Sequence, residues 1–332
     1  MNKIPFSVVR AAVLSALSRA GVNPQHSEIQ AALLLYAELR ERPSHGLLRL
    51  PRVIERIRNG VTDPETEGEH IWHGNFLEVD GLNGLGPVVA SKATSLLCDK
   101  VQEDGIAIAA IRSNNHLGML AWYGEQVAQK KLILLGICNS EALVHPWGGR
   151  KAMLGTNPIT IAIPTDNAPF IMDMATGLVS MGKIHDYALN QRPLPLGWAI
   201  DEIGDPTTDA NRAKNGAIAP FGGAKGYALG LAFEILVGTL TKSAVGRSVK
   251  GTLDSNQLCN KGDVFIVINP NMQGDTTSYI STYLNEIRNS GDGGNSVLVP
   301  GDRAVQAEQK NLEEGLSLPS DLWEKIQQLS DL

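Results

Sequence analysis

The chain has 332 residues, 43% hydrophobic and 19% charged, a balance that excludes a disordered polymer and suits one large domain or two to three smaller ones around a buried core. Its net charge of −6, from 29 basic and 35 acidic residues, offers no footprint for nucleic acid, so an anionic small molecule must be met by local arginines. The three cysteines, Cys98, Cys138 and Cys259, are odd in number and lack metal-like spacing, which points to a reduced, cytoplasmic setting.

The first segment, Phe6 to Ala20, is broken by Arg10, Ser15, Ser18 and Arg19, so it reads as neither a signal peptide nor a membrane span. Val8, Val9, Ala12, Val13, Ala16 and Leu17 recur at helical spacing, with Gly21 placed to end the helix. Asn23-Pro24 opens a second helix running to about Glu41, and Pro43 breaks it. A basic amphipathic helix starts or kinks at Pro51 and ends at Gly60.

From about Ile71 short apolar runs predict buried strands: Ile106–Ile111, Leu132–Cys138, Ile159–Ile163, Phe170–Met174 and Val264–Ile268. Helical stretches separate several of them, at Val88–Val101, Leu117–Gln129 and Gly226–Leu240. A loop at Ser290–Ser296, a strand-like run at Val297–Val299 and a terminal helix from about Pro319 to Leu329 complete the chain. The alternation predicts an α/β fold with a mixed sheet. No G-x-G-x-x-G joins a strand to a helix, so the expected cofactor domain is non-Rossmann. The expected units are an N-terminal helical one (1–70), a central α/β one (71–270) and a C-terminal segment (271–332).

Five segments carry chemistry. Ser44-His45-Gly46 with Arg49 pairs an imidazole, whose pKa lies near neutrality, with a guanidinium able to fork a carboxylate. If the chain turns helically after Gly46, His45 and Arg49 share a face, and Ser44 can fix the imidazole tautomer. Arg112-Ser-Asn-Asn-His116 offers a second histidine. Gly155-Thr156-Asn157-Pro158 and Met172-Asp173-Met174-Ala175-Thr176 put polar groups at strand ends, where ligands collect. Phe221-Gly222-Gly223-Ala224-Lys225-Gly226 reads either as a phosphate cradle at a helix start or as a glycine turn before a buried helix. His70 and His73 form H-x-x-H without a third ligand nearby, and no metal is expected.

In this order, over nearly the whole chain, these segments resemble the malate/L-lactate dehydrogenase family, whose members bind nicotinamide cofactors without a Rossmann fold. The stretches at 245–251 and 259–263 look most like its sulfolactate and malate branch. The resemblance implies NAD or NADP as cofactor, held by Ser140, Asp173, Met174, Ala175, Lys225, Gly226, Gly301, Asp302 and Arg303. It implies that Arg49, Thr156 and Asn157 bind substrate and that His45 and His116 both approach the reaction, with His45 favoured as proton donor. Lys183 resembles the hydroxyacid dehydrogenases; the cyclic imino acid reductases tend to carry an aspartate there, paired with the Ser-His unit. A lysine would hold His45 less cationic and attract an anion. The implied activity is interconversion of a small anionic 2-hydroxy acid with its 2-oxo acid. Alternatives on this scaffold are reduction of a cyclic imino acid or diketo sugar acid and oxidation of ureidoglycolate; a silent cofactor-binding protein is the alternative of another class. A homodimer or larger even assembly is implied, as are C-terminal segments packing back on the N-terminal unit. Glu41-Arg42-Pro43 and Trp147 depart from the family pattern and alter pocket charge and size.

Overall fold

The computed structural model describes residues 3–270, 276–292 and 297–330. A short strand β1 (Lys3–Ile4) precedes helix α1 (Phe6–Arg19), and α2 (Pro24–Leu39) begins where the Asn23 side chain accepts from the His26 N–H at 2.9 Å. A 3₁₀ turn (Leu47–Arg49) leads directly into α3 (Leu50–Arg58). The hairpin β2 (Glu69–His73) and β3 (Phe76–Asp80) opens the main sheet. Then come α4 (Gly86–Asp104), β4 (Ile106–Arg112), α5 (Ala121–Gln129), β5 (Ile133–Cys138), β6 (Ile159–Ile163) and β7 (Phe170–Met174). Helix α6 (Met181–Leu189) and α7 (Ala210–Ala213) flank a small antiparallel sheet of β8 (Ala199–Ile200), β9 (Pro206–Thr207) and β10 (Ala217–Ile218). The long α8 (Ala224–Thr241), β11 (Asp263–Ile268), α9 (Thr277–Arg288), α10 (Asp302–Glu314), β12 (Leu316–Ser317) and α11 (Ser320–Ser330) follow.

The main sheet has the order β2-β3-β4-β11-β5-β6-β7. Only β3 and β4 run parallel; β11 inserts antiparallel between β4 and β5. The fold is thus mixed α/β and not a doubly wound parallel sheet. Helices α4 and α5 close one face around fully buried Leu97, Tyr123, Leu134 and Phe265. On the other face Phe233 and Val237 of α8 cover Ile137 and Val264.

The C-terminal segments do return. Strand β12 pairs antiparallel with β1, and α11 packs Leu322 and Ile326 into the core that holds Val9, Leu17 and Leu47. Among the described residues no helix is long and apolar enough to cross a membrane.

Several expectations need correction. Helix α2 stops at Leu39, with Arg42 N–H bonding back to the Ala37 carbonyl. Residues 117–120 are not helical, because the Gly118 N–H is diverted to the His116 ring. The run Val297–Val299 is no strand: it joins α9 to α10, and its Val299 carbonyl accepts from Asp302 N–H. Of the loop expected at Ser290–Ser296, residues 293–296 lie outside the described residues.

Candidate active site

Antiparallel register gathers the site at one end of the main sheet. Asp263 at the start of β11 pairs with Ile111 and Cys138, near the C-terminal ends of β4 and β5, while Ile159 at the start of β6 pairs with Ile137 and Met174. The loops carrying His116, Ser140, Thr156 and Asp173 therefore leave the sheet on one side.

His45 arrives from the N-terminal helices. After α2 the chain turns at Pro43, and the buried Glu38 carboxylate accepts from the Leu47 N–H at 2.8 Å. A Cβ on Gly46 would lie 2.3 Å from that carboxylate oxygen, so any larger residue would push Glu38 away from its Leu47 bond. Burial raises the Glu38 pKa against the pull of the Leu47 bond. Ser44 Oγ lies 3.0 Å from His45 Nδ1. Arg49 reaches back rather than lying helically beside His45: its Nε donates to the Ser44 carbonyl at 2.8 Å and its Nη1 to the Thr252 carbonyl at 3.3 Å. One edge of the guanidinium is thereby used to hold the loop, leaving its end for a ligand.

His116 faces His45 with ring centroids 5.5 Å apart and planes tilted by 35°. Its Nδ1 accepts from the Gly118 N–H at 3.0 Å, which places the proton of the neutral ring on Nε2. The two asparagines before it are structural. Asn115 takes Arg56 on its Oδ1 and donates to the Asn83 and Gly84 carbonyls, while fully buried Asn114 contacts Asp263.

Burial, then Arg49 and Arg42, push His45 down to about 4. Burial, then Arg49, His45, Lys261 and Arg52, hold His116 well below its ordinary range. The repulsion expected from Lys183 thus comes from arginines instead. Lys183 is exposed, with its Nζ 5.6 Å from the Tyr187 ring, although Gly182 beside it lies close to Ser44. Since His45 is protonated at higher pH in the unfolded chain than in the folded one, the unfolded state binds more protons between pH 6.5 and about 4. Stability should fall as pH drops through that window, by up to about 3 kcal/mol from this group. Chemical denaturation of wild type and His45→Gln across pH 4–7.5 checks this: their difference should be flat above pH 6.5 and change below it, since the other titrating groups are common to both.

Some of the residues expected around a cofactor are linked by hydrogen bonds. Ser140 Oγ accepts from Thr156 N–H at 3.0 Å and lies 3.3 Å from its hydroxyl. The Thr156 carbonyl accepts from Thr176 N–H, and the Thr176 carbonyl from Phe221 N–H. Asp173, next to last in β7, accepts from Ala121 N–H at 2.9 Å; burial lifts its pKa to about 6 against that bond and Arg42. Met174 is exposed beside it and Ala175 half-buried. Gly222 and Gly223 have φ of +59° and +64°, and the chain enters α8 with no side-chain cap on its first N–H groups, beside exposed Lys225. That donor set suits an anionic phosphate. A Cβ on Gly226 would fall 1.7 Å from the Phe221 carbonyl, so Gly226 closes the turn by packing. The Trp147 ring stands against Gly223.

Asn157 and Asp302, both expected in the site, spend side-chain atoms on other parts of the chain. Asn157 is fully buried; its Nδ2 donates to the Gly230 carbonyl and to Glu234 on α8, while its Oδ1 has no partner among the described residues. Asp302 is paired with Arg288 through both carboxylate oxygens. Gly301, at φ +100°, packs near the Ile171 carbonyl, and Arg303 is exposed on the first turn of α10.

The sequence reading missed the supports beneath these groups. Buried Glu234 accepts from Gly155 and Gly246 N–H groups as well as Asn157. Glu141 Oε1 accepts from the Thr252 N–H and hydroxyl and from Leu253 N–H. A fully enclosed Lys261–Asp263 pair lies behind His116. A small cavity of about 40 Å³ beside His116 is lined by Arg49, Arg52, Arg56, Thr62 and Thr252 among others. Its one legible signal was the spacing of Arg49, Arg52 and Arg56, which puts three guanidinium groups on one side of the turn and α3.

A model of the family described as malate/L-lactate dehydrogenase matches residues 4–327. The chain is 36% identical to a malate/(S)-sulfolactate dehydrogenase of Methanothermus fervidus, over 97% of this chain and 95% of the relative. It is 30% identical to a ureidoglycolate dehydrogenase (NAD(+)) of Escherichia coli, over 98% and 95%. The crystal structure of a dehydrogenase from Sinorhizobium meliloti superposes with a TM-score of 0.95 at 44% identity, covering 99% of this chain and 98% of that one.

Proposed function

Because the chain belongs to the malate/L-lactate dehydrogenase family, we propose that it interconverts a small anionic 2-hydroxy acid and its 2-oxo acid with NAD or NADP, and that His45 moves the proton. The carrying observation is the asymmetry of the two rings. Protonating His116 on Nδ1 would set two N–H groups against each other at Gly118, so His116 serves as a fixed Nε2–H donor that orients an oxygen. His45 has no such block: the Ser44 hydroxyl beside its Nδ1 can donate or accept. Neutral in the free site, His45 takes the proton of the 2-hydroxy acid. In the other direction an arriving carboxylate offsets Arg49 and Arg42, favouring the imidazolium that gives the proton back.

The free end of the Arg49 guanidinium holds the carboxylate. When bound, the nicotinamide cofactor supplies or accepts the hydride at the substrate carbon. The residues that would hold it are Ser140, Thr156, the Asp173–Ala175 strand end, and the Gly222–Lys225 entry to α8. Mixing NADH or NADPH with a panel of 2-oxo acids and following nicotinamide absorbance tests the reading; no turnover with any of them overturns it.

Lys225→Ala should raise the cofactor dissociation constant tenfold or more, about 1.4 kcal/mol, while thermal stability stays put because Lys225 is exposed. Wild-type affinity for both cofactors in that variant would remove the phosphate assignment. We also read the chain as a homodimer. Support comes from the outer face of α8, where Leu229, Ile235 and Leu236 are 39%, 57% and 42% exposed. Sedimentation at micromolar concentration should show a dimer or larger even species, and a stable active monomer would refute it.

A further inference from the structure

Three segments far apart in sequence meet at one side chain, Arg40, at the C-terminal end of α2. Arg40 is 4% exposed. Its Nη1 donates to one carboxylate oxygen of Glu308 on α10 at 2.9 Å, and its Nη2 lies 2.7 Å from the other. The same Nη2 donates to Glu125 on α5 at 2.9 Å. The guanidinium carbon stands 3.4 Å from the centre of the Tyr36 ring on α2, and the Tyr36 hydroxyl donates to the same Glu125 oxygen at 2.7 Å. Burial holds that phenol protonated well past neutrality, so it stays a donor. Asn311 on α10 adds a second tie, its Nδ2 donating to the Leu39 carbonyl at 2.8 Å.

Each segment leads to part of the candidate site. The end of α2 runs into the Ser44–His45 turn through Glu41, Arg42 and Pro43. That connector is stiff: Glu41 sits at φ +57°, Arg42 N–H is bonded to the Ala37 carbonyl at 2.9 Å and His45 N–H to the Arg42 carbonyl at 3.0 Å. Helix α5 starts at Ala121, whose N–H the Asp173 carboxylate accepts, and Glu125 lies one turn further on. Helix α10 starts at Asp302 and Arg303 and carries Glu308 in the same helix. A buried ion pair is a weak source of stability, because desolvating the charges offsets their attraction. Glu308 shows that cost: burial lifts its pKa, Arg40 pulls it down, and Glu125 pushes it up again. What a guanidinium fork adds is direction. Apolar contacts are non-directional and would let α2 slide on α5 and α10, whereas these directed bonds hold it in one place.

We propose that Arg40 is a positioning residue: by gripping Glu125 and Glu308 from the end of α2, it fixes the Ser44–His45 turn against the two helices whose starts border the expected cofactor residues, and so sets where His45 stands relative to His116 and the substrate oxygen. Arg40 itself touches no reactant. The inference rests on the reading of His45 as the group that moves the proton. A displacement of about 1 Å at a reacting group can lower rate about 10²-fold, so a buried anchor close in sequence to His45 has a large lever.

Two measurements on the full chain test it. In the first, single-turnover reduction at saturating NADH and 2-oxo acid is followed in wild type, Arg40→Met, Arg40→Lys and Leu329→Ala. The last removes packing from the core under α11 and lowers melting temperature away from this cluster. Arg40→Met should lose about tenfold or more in rate, with NADH affinity changed less than about threefold. Arg40→Lys keeps the charge without the fork and should recover only part of that rate. Leu329→Ala should melt earlier and react within about twofold of wild type. Should Arg40→Met not fold, Arg40→Lys and Tyr36→Phe, which removes one hydrogen bond and keeps the ring, carry the same test with losses of about two- to tenfold. In the second, crystal structures of the folded variants are compared with wild type. The separation of the His45 and His116 rings, 5.5 Å in the native chain, should change in Arg40→Met or Arg40→Lys. The size expected is about 0.5 Å or more, enough to account for the rate. That shift supports the proposal even if no 2-oxo acid turns over in wild type, in which case only the redox reading fails. An unmoved His45 ring, a wild-type rate in Arg40→Lys, or a rate loss in the Arg40 variants no greater than in Leu329→Ala overturns it.

Discussion

His45→Ala should lower kcat by about 10²–10⁴-fold in both directions while cofactor affinity changes less than about twofold, the loss expected when a positioned acid/base is removed. The argument rests on where each ring can hold a proton. His116 is committed at Nδ1 to the Gly118 N–H, so His116→Ala removes an orienting hydrogen bond; its loss should be smaller, about 10–100-fold, and partly in KM. Single-turnover measurements with saturating cofactor separate the two, because they report the chemical step without product release. If His45→Ala keeps most of its activity and His116→Ala abolishes it, the proton passes through His116, and the Gly118 bond must break in the reacting complex. Two active variants would sink histidine acid/base catalysis altogether.

Gly86→Ala should damage both stability and turnover although Gly86 carries no reacting group. A Cβ there would lie 2.3 Å from the His116 carbonyl and 2.7 Å from that of Asn115, both backbone atoms with nowhere to rotate. The cost of forcing a methyl into such a contact is about 1–3 kcal/mol, which a melting curve reads as a drop of several degrees. Moving the His116 segment also changes its distance to His45. A displacement near 1 Å can lower rate about 10²-fold, so kcat should fall tenfold or more beyond any loss of folded protein. An alternative glycine variant controls for this: Gly74→Ala, where the added Cβ meets nothing within 4 Å, should leave kcat intact. Its φ of +63° makes that substitution mildly strained, so the comparison is made on kcat rather than on melting temperature. Equal kcat in wild type and Gly86→Ala would mean that the His116 loop adapts.

Local chemistry made a large part of this protein legible. The strands at Ile106, Leu132, Ile159 and Val264 were visible because buried strands inside a sheet are continuous apolar runs. Helix α8 was visible because a glycine turn opens a long apolar stretch. The order of the motifs was enough for the family. The edge strand β2 was missed, since Ile71 and Trp72 are exposed there and it therefore lacks a buried strand's pattern. Helices α6, α9 and α10 were missed as well; their mixed polar surfaces bury few residues each.

The two histidines and Arg49 could be chosen from residue type alone, because only certain side chains exchange protons or fork a carboxylate at neutral pH. Their roles required the tertiary structure. A ring's tautomer depends on the group that meets each nitrogen, and the Gly118 N–H that fixes His116 comes from a turn whose course depends on surrounding packing. Burial, likewise a property of the whole fold, enclosed Asn157 and moved the control of His45 from Lys183 to Arg49 and Arg42. Sequence determined which chemical groups this protein has to work with. Folding decided which of their atoms remain free, because each hydrogen bond or packed contact made across the chain removes one atom from what a ligand can use.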